Sequence, residues 1–394
     1  MNINPYVRRY FTRRFLEEQV LYQIFMYLPL ERLEIKDRQR LEEIKAAADN
    51  RYQDGSLSES DKKTVGQHLP VIKKILERRT DLADVRIQNL SWLDYDWDGK
   101  KDYPPNGFLA ATFVNTQADA LFVTFRGTPR GAWLDNAKML IGSPKYCQDF
   151  EDSSGLVWHF LSPMQAEAME YTGQLVGNRL KGWETVNRHY VIGHSKGGNQ
   201  AQLAMMLYPG DFDVCISMDG PGMSGEAIGE MKQNMGEEAF VRAAGRLLGI
   251  NASNDYVHGL GIPLIPFQQN FWFLESPCAP VILCSHFATA LLDKKRQDIV
   301  PFNDDGPGMA AVFMRKVSDA AMAMPLADRT DVFMTLMAVL QAVLGRSLPV
   351  NPGREDWLRL IAGFEGGGIK TVNLLTSVMK EEGGDFMSLF SGSR

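Results

Sequence analysis

The chain has 394 residues and a net charge of −6, from 42 basic and 48 acidic side chains, which argues against a nucleic-acid binder. Its 45% hydrophobic and 23% charged content is that of an ordinary soluble globular protein, long enough for two domains or one large α/β domain with additions. Its four cysteines (Cys147, Cys215, Cys278, Cys284) show neither a C-x-x-C pair nor metal-ligand spacing, and Cys215 and Cys284 sit in apolar runs expected to bury them.

The opening Met1-Asn2-Ile3-Asn4-Pro5 lacks the apolar stretch of a signal peptide, so a soluble, cytoplasmic protein is expected. Residues 1 to about 85 read as helical. Phe11, Phe15, Val20, Ile24 and Leu28 recur at helical spacing until Pro29 stops the run. Arg8, Arg9, Arg13 and Arg14 among aromatic neighbours suit a membrane surface, but Glu17 and Glu18 follow at once and favour a solvated helix face. A charged segment, Glu31 to Ala48, and a third, Lys62 to Arg79, follow on either side of the polar linker Asp54–Ser58.

From Val85 the pattern turns to strands: Val85–Leu90, Phe108–Val114 and Ala120–Phe125. Between the first two, Asp94-Tyr95-Asp96-Trp97-Asp98-Gly99 imitates the start of a calcium loop. Pro105 stands where a bidentate Glu belongs, so a turn with Asp-Gly chemistry is the reading, and no metal is expected. Thr128 to Leu156 reads as loop-rich, and a long helix, about Pro163 to Leu180, follows.

Tyr190-Val191-Ile192-Gly193-His194-Ser195-Lys196-Gly197-Gly198 is an apolar run ending in G-x-S-x-G, and a helix-forming run, Gln200 to Leu207, comes next. A strand that turns this sharply into a helix is a nucleophile elbow, which lifts the serine hydroxyl clear of the sheet. The helix N-terminus behind it favours developing negative charge. Beyond lie the strand Val214–Met218, a helix near Glu226 to Leu248, and extended segments near Ile262–Pro266, Asn270–Leu274 and Val281–Cys284. After the Asn303–Gly308 turn the remainder reads as helical. Its longest apolar run, Val332–Leu340, has the length of a core helix and not of a membrane span. Asp-Gly-Pro-Gly-Met occurs at 219–223 and at 305–309, but the surroundings do not match and no repeat is read. Alternating strands and helices in the middle third imply a mostly parallel sheet covered on both faces.

A serine nucleophile needs a base, an orienting acid and an oxyanion hole. Only His258 and His286 follow Ser195. His286, just past the apolar run 281–285, is preferred as base, and His258 is the competitor. Asp255 follows the apolar run Leu247–Ile250 and precedes His286 by 31 residues; it is preferred as acid over Asp219, which reads more simply as a tight turn. One oxyanion donor should be the backbone N–H of Lys196. The second must come from an early strand-to-loop junction, where the Arg126-Gly127-Thr128 turn makes Thr128 the natural candidate.

Phe125-Arg126-Gly127-Thr128 with Trp133-Leu134-Asp135-Asn136, and then Gly193-His194-Ser195-Lys196-Gly197-Gly198, resembles the class 3 (fungal-type) lipases, closest to a bacterial lipase-like branch of α/β-hydrolases. In that branch a helix similar to Ser162–Tyr171 precedes the elbow. The resemblance covers about residues 86 to 290. It implies Ser195 as nucleophile, Thr128 as oxyanion residue, Asp255 as acid and His286 as base. It also implies acyl-ester substrates, often lipid, and a lid after the R-G-T turn, here Pro129 to Leu156. Two departures bear on substrate preference and leave the triad intact. Lys196 stands where leucine is usual, and Met218-Asp219-Gly220-Pro221-Gly222-Met223 replaces a G-x-P-R-V-G-N-like stretch.

The expected protein is therefore an α/β-hydrolase core (86–300) with helical additions at both ends (1–85 and 301–394). It would act as a serine carboxylic-ester hydrolase with no cofactor. The expected partner is a small-molecule acyl ester or lipid, with peripheral membrane contact and oligomeric state left open. A thioesterase or other acyl hydrolase, and a catalytically retired scaffold, are the alternatives.

Overall fold

Among the described residues three helices come first: α1 (Arg13–Met26), α2 (Leu41–Gln53) and α3 (Glu59–Arg78). Strands β1 (Arg86–Gln88), β2 (Ala110–Asn115) and β3 (Ala120–Phe125) follow, then α4 (Trp133–Ile141), a hairpin of β4 (Gln148–Glu151) and β5 (Val157–Leu161), and α5 (Pro163–Gly177). The central run is β6 (Arg188–His194), α6 (Lys196–Leu207), β7 (Val214–Met218), α7 (Gly225–Met235), α8 (Glu237–Ala244), β8 (Leu247–Ala252) and β9 (Asn270–Phe273). Helices α9 (Met309–Met322), α10 (Leu326–Leu344) and α11 (Gly368–Glu382) complete it. The computed structural model describes residues 12–91, 108–128, 133–152, 154–178, 183–274, 285–293, 298–344 and 367–382.

The main sheet has seven strands in the order β1-β2-β3-β6-β7-β8-β9. The first two pairings are antiparallel, and β3 through β9 pair in parallel. Every residue of β2, β3, β7 and β8 is buried, as a sheet covered on both faces requires. One face packs with α1, α2 and α3 in a single hydrophobic cluster that includes Phe113, Phe122, Ile192 and Ile216. The other is covered by α5, α6, α7 and α8. This is the α/β-hydrolase architecture, with helical additions at both ends.

The first helix departs from expectation. Beyond the exposed Arg13 and Arg14 it presents no solvated face: every residue from Leu16 to Met26 is buried, Glu17 and Glu18 included. The charges that read as surface are matched inside. Glu18 accepts from the Tyr22 hydroxyl and from Asn115 Nδ2, while Glu17 pairs with Arg78 at 2.9 Å and Arg79 at 3.6 Å. Tyr22 stacks on Phe113 (centroids 4.5 Å apart, 10° between planes), and Phe15 meets Tyr190 edge-on at 5.6 Å. The helix is pinned at its start as well, since Arg13 donates to the Ile299 carbonyl at 2.7 Å and pairs with Asp298.

Other boundaries move too. The second helix begins at Leu41 and not near Glu31, because residues 27–34 form turns and Glu43 caps the backbone of Arg40. The expected helix from Glu226 to Leu248 breaks at Gly236, whose φ of +79° ends α7 before α8, and Leu247 already belongs to β8. In 262–266 only Ile262 pairs, in a bridge to Met223. The stretch Thr128–Leu156 carries, besides its loops, α4 and the strand that starts the β4–β5 hairpin. Ala137, Leu140 and Ile141 of α4 bury themselves against α9, α10 and α11, partners too distant for local patterning to reveal. The calcium-like segment 94–99 and the expected strand 281–284 lie outside the described residues. Among the described residues, no helix is long and apolar enough to cross a membrane.

Candidate active site

β6 hands over to α6 through one residue. Ser195 has φ +59° and ψ −128°, a backbone conformation that non-glycine residues adopt at a cost of about 1–3 kcal/mol. Two glycines permit the turn. A Cβ on Gly193 would lie 1.9 Å from the Gly197 carbonyl oxygen, and one on Gly197 would lie 2.2 Å from that of Phe125. The serine N–H donates to the Met218 carbonyl at 2.9 Å, which pins the turn to the end of β7.

The fold brings Ser195, His286 and Asp255 into one line. His286 Nε2 lies 2.8 Å from the Ser195 hydroxyl, and its Nδ1 lies 2.6 Å from Asp255 Oδ2. Asp255 stands three residues beyond β8 and is wholly buried; the serine and the histidine are 2% and 7% exposed. The second carboxylate oxygen accepts from the backbone N–H groups of Val257 (2.8 Å) and His258 (2.9 Å). Burial opposes ionisation of Asp255, but His286 and His258 beside it prevail and hold its carboxyl well below the ordinary carboxylate range. An ionised Asp255 keeps the proton of His286 on Nδ1, leaving Nε2 to accept from the serine hydroxyl.

The competitors take other places. His258 Nδ1 sits 3.5 Å from Asp255 Oδ1, on the acid's far side, with its ring edge-on to Trp272. Asp219 is buried in a turn with φ +48°, where Oδ1 accepts from the Ala252 N–H at 2.8 Å. Asp219, Asp255 and His258 bring ligand atoms within 4.8 Å of one another. Asp255 is the same residue that holds His286, so a cation bound there would compete for that carboxylate.

The two candidate oxyanion residues leave the same edge of the sheet. Phe125 pairs with Gly193 across β3 and β6, and Thr128 and Lys196 each follow this paired edge by three residues. Lys196 is the first residue of α6, where backbone amides have no carbonyl a turn earlier to satisfy them. Its side chain does not line the site; it is buried, with Nζ 2.8 Å from Met164 Sδ. The Thr128 hydroxyl accepts from Asn136 Nδ2 at 2.8 Å, so the turn after β3 is held by α4.

Sequence reasoning missed one neighbour of the site. His194 is buried with its ring centroid 5.1 Å from that of His286, and its Nδ1 lies 2.7 Å from the hydroxyl of Tyr27, at the end of α1. No periodicity or spacing joins residues 27 and 194.

Among solved structures the chain is similar to the mono- and diacylglycerol lipase of Aspergillus oryzae, at 14% identity over 78% of this chain and 96% of that one, with a TM-score of 0.40. An MDLA mutant from Penicillium cyclopium gives 14% identity over 75% and 88% of the two chains, with a TM-score of 0.39. A triacylglycerol lipase from Penicillium expansum gives 12% identity over 52% and 80%, with a TM-score of 0.29. No curated protein matches the chain. Residues 82–236 match the family described as Mbeg1-like, a span that holds Thr128, Ser195 and Lys196 and ends before Asp255 and His286.

Proposed function

We propose that the protein is a serine hydrolase that cleaves carboxylic acyl esters, with a lipid-like ester as substrate. The observation that carries this reading is the unbroken contact from Asp255 through His286 to Ser195, at 2.6 and 2.8 Å, on a serine held at a strained strand-to-helix turn. Ser195 Oγ attacks the ester carbonyl while His286 Nε2 takes its proton, and Asp255 stabilises the imidazolium without accepting a proton. The backbone N–H groups of Thr128 and Lys196 receive the oxyanion of the tetrahedral intermediate. Collapse breaks the bond to the alcohol, which leaves with the proton from His286, and the acyl group stays on Ser195. Water then attacks the acyl-enzyme with His286 again as base, releasing the acid and restoring the serine.

A fluorophosphonate probe, which reacts only with an activated serine, tests this directly. Wild-type protein should be labelled and Ser195→Ala should not. A chain-length series of p-nitrophenyl esters, run beside acyl-thioesters, then ranks the substrates. An unlabelled, folded wild type would leave the scaffold alternative standing; faster thioester cleavage would replace the ester with a thioester in the same mechanism.

A further inference from the structure

Tyr27 is the last residue before the chain leaves α1, and its hydroxyl lies 2.7 Å from His194 Nδ1, across 167 residues of sequence. Its position is fixed from several sides. The ring lies nearly parallel to His68 of α3 (centroids 5.9 Å apart, 28° between planes) and edge-on to His194 at 5.6 Å. Its hydroxyl fills the space beside Gly127, where a Cβ would lie 2.0 Å from the phenol oxygen. One phenol therefore touches the residue before Thr128 and the residue before Ser195. His194 in turn lies with its ring against His286, tilted by 30°.

We propose that Tyr27 is a positioning residue, which donates its hydroxyl proton to His194 Nδ1 and so holds a neutral His194, protonated on Nε2, as the wall against which His286 is aligned. The proposal rests on the hydrolase reading above.

Burial raises the Tyr27 phenol far above its ordinary range, with Asp219 adding to the rise and Arg126 opposing it, so the hydroxyl remains a donor. Burial, and His286 next to it, push His194 down to about 3; His68 acts in the same direction, while Asp255 and the His286 main chain act against it. The ring therefore stays neutral while His286 becomes imidazolium. Among the described residues His194 Nδ1 is the phenol's hydrogen-bond partner, so the buried O–H is satisfied by donating there; Nδ1 then accepts, and the one proton of the neutral imidazole sits on Nε2, which makes no hydrogen bond among the described residues. Tyr256 packs against His286 with ring centroids 5.5 Å apart, so the base is held between two aromatic neighbours. A charged His194 would repel the imidazolium that forms in the transition state, whereas a neutral one holds its orientation without that penalty.

The test compares wild type with Tyr27→Phe, which keeps the ring and removes only the hydroxyl. Two-bond 1H–15N spectra of the histidine rings should show wild-type His194 as the neutral Nε2–H tautomer. In Tyr27→Phe that signature should be lost or mixed. On a p-nitrophenyl ester kcat should fall by roughly 5- to 50-fold with KM nearly unchanged, since a buried acceptor loses its donor. A wild type that fluorophosphonate does not label overturns the hydrolase reading and Tyr27's role with it. A labelled wild type whose Tyr27→Phe variant keeps both tautomer and kcat overturns the role of Tyr27 alone. Should the variant fail to fold, the wild-type spectrum decides, because a proton on His194 Nδ1 contradicts the proposal.

Discussion

Acid should weaken this fold through His194, and the size of the effect follows from its surroundings. In the native protein burial and the neighbouring His286 lower the ring from 6.5 to about 3. The unfolded chain restores the ordinary value, so between these limits it binds a proton that the folded protein refuses. Stability present above pH 6.5 is then lost as the pH falls towards 3. Each pH unit in that window is worth about 1.4 kcal/mol. At pH 4.5 the loss from this one ring approaches roughly 3 kcal/mol, against the roughly 5–15 kcal/mol that holds a typical domain together. His194→Asn removes the titration and keeps an acceptor near Nδ1 for Tyr27. Urea unfolding of both proteins at pH 7 and pH 4.5 provides the assay. Between the two pH values the variant should lose about 2–3 kcal/mol less than wild type. Glu18, whose carboxyl burial raises, titrates in both proteins and largely cancels in the comparison. Equal losses in wild type and variant, within ~0.5 kcal/mol, would refute the argument.

His286→Ala should abolish ester turnover and His258→Ala should leave most of it, because only His286 touches the Ser195 hydroxyl; pseudo-first-order rates on one ester decide, and the reverse pattern reassigns the base. Gly197→Ala places a methyl 2.2 Å from a strand carbonyl that cannot swing aside, so its urea midpoint should report a loss of at least ~2 kcal/mol; a change below ~0.5 kcal/mol would show that the turn has room. Asn136→Ala releases the Thr128 hydroxyl from α4 and loosens the residue proposed as second oxyanion donor. It should cut kcat by roughly 10- to 100-fold with the circular dichroism spectrum unchanged, and an undiminished kcat would remove Thr128's tether from the mechanism.

The contact line from Asp255 through His286 to Ser195 and the strands that carry it were legible because each has a strong local signal. The bounds of β3 and β7 match their apolar runs to the residue, and the two glycines around Ser195 mark the turn unaided. Asp255 was found from the run that becomes β8, and His286 from its position after an apolar run. What local patterning could not supply was burial decided at long range. Glu17 and Glu18 read as surface because their partners, Arg79 and Asn115, lie 62 and 97 residues away, and only the folded sheet brings them close. α4 was hidden for the same reason: the side chains that cover it belong to helices near the other end of the chain. Tyr27 is the extreme case, an aromatic residue near a proline whose partner stands across the sheet's catalytic edge.

The placement of α1 also sets an order of events during synthesis. The helix leaves the ribosome before the strands it covers, which arrive about a hundred residues later, and Arg13 meets the Ile299 carbonyl only after 286 more residues have been made. At ordinary elongation rates of roughly 5–20 residues per second that last contact waits about 15–60 s, while Leu16, Leu21 and Phe25 wait about 5–35 s for β3 and β6. Contacts of such sequence separation fold slowly. The nascent chain is therefore most prone to misassociation before β3 and β6 appear, and an attending chaperone would be needed earliest at its N-terminus. A helix made before its sheet is among the last elements to be fully seated.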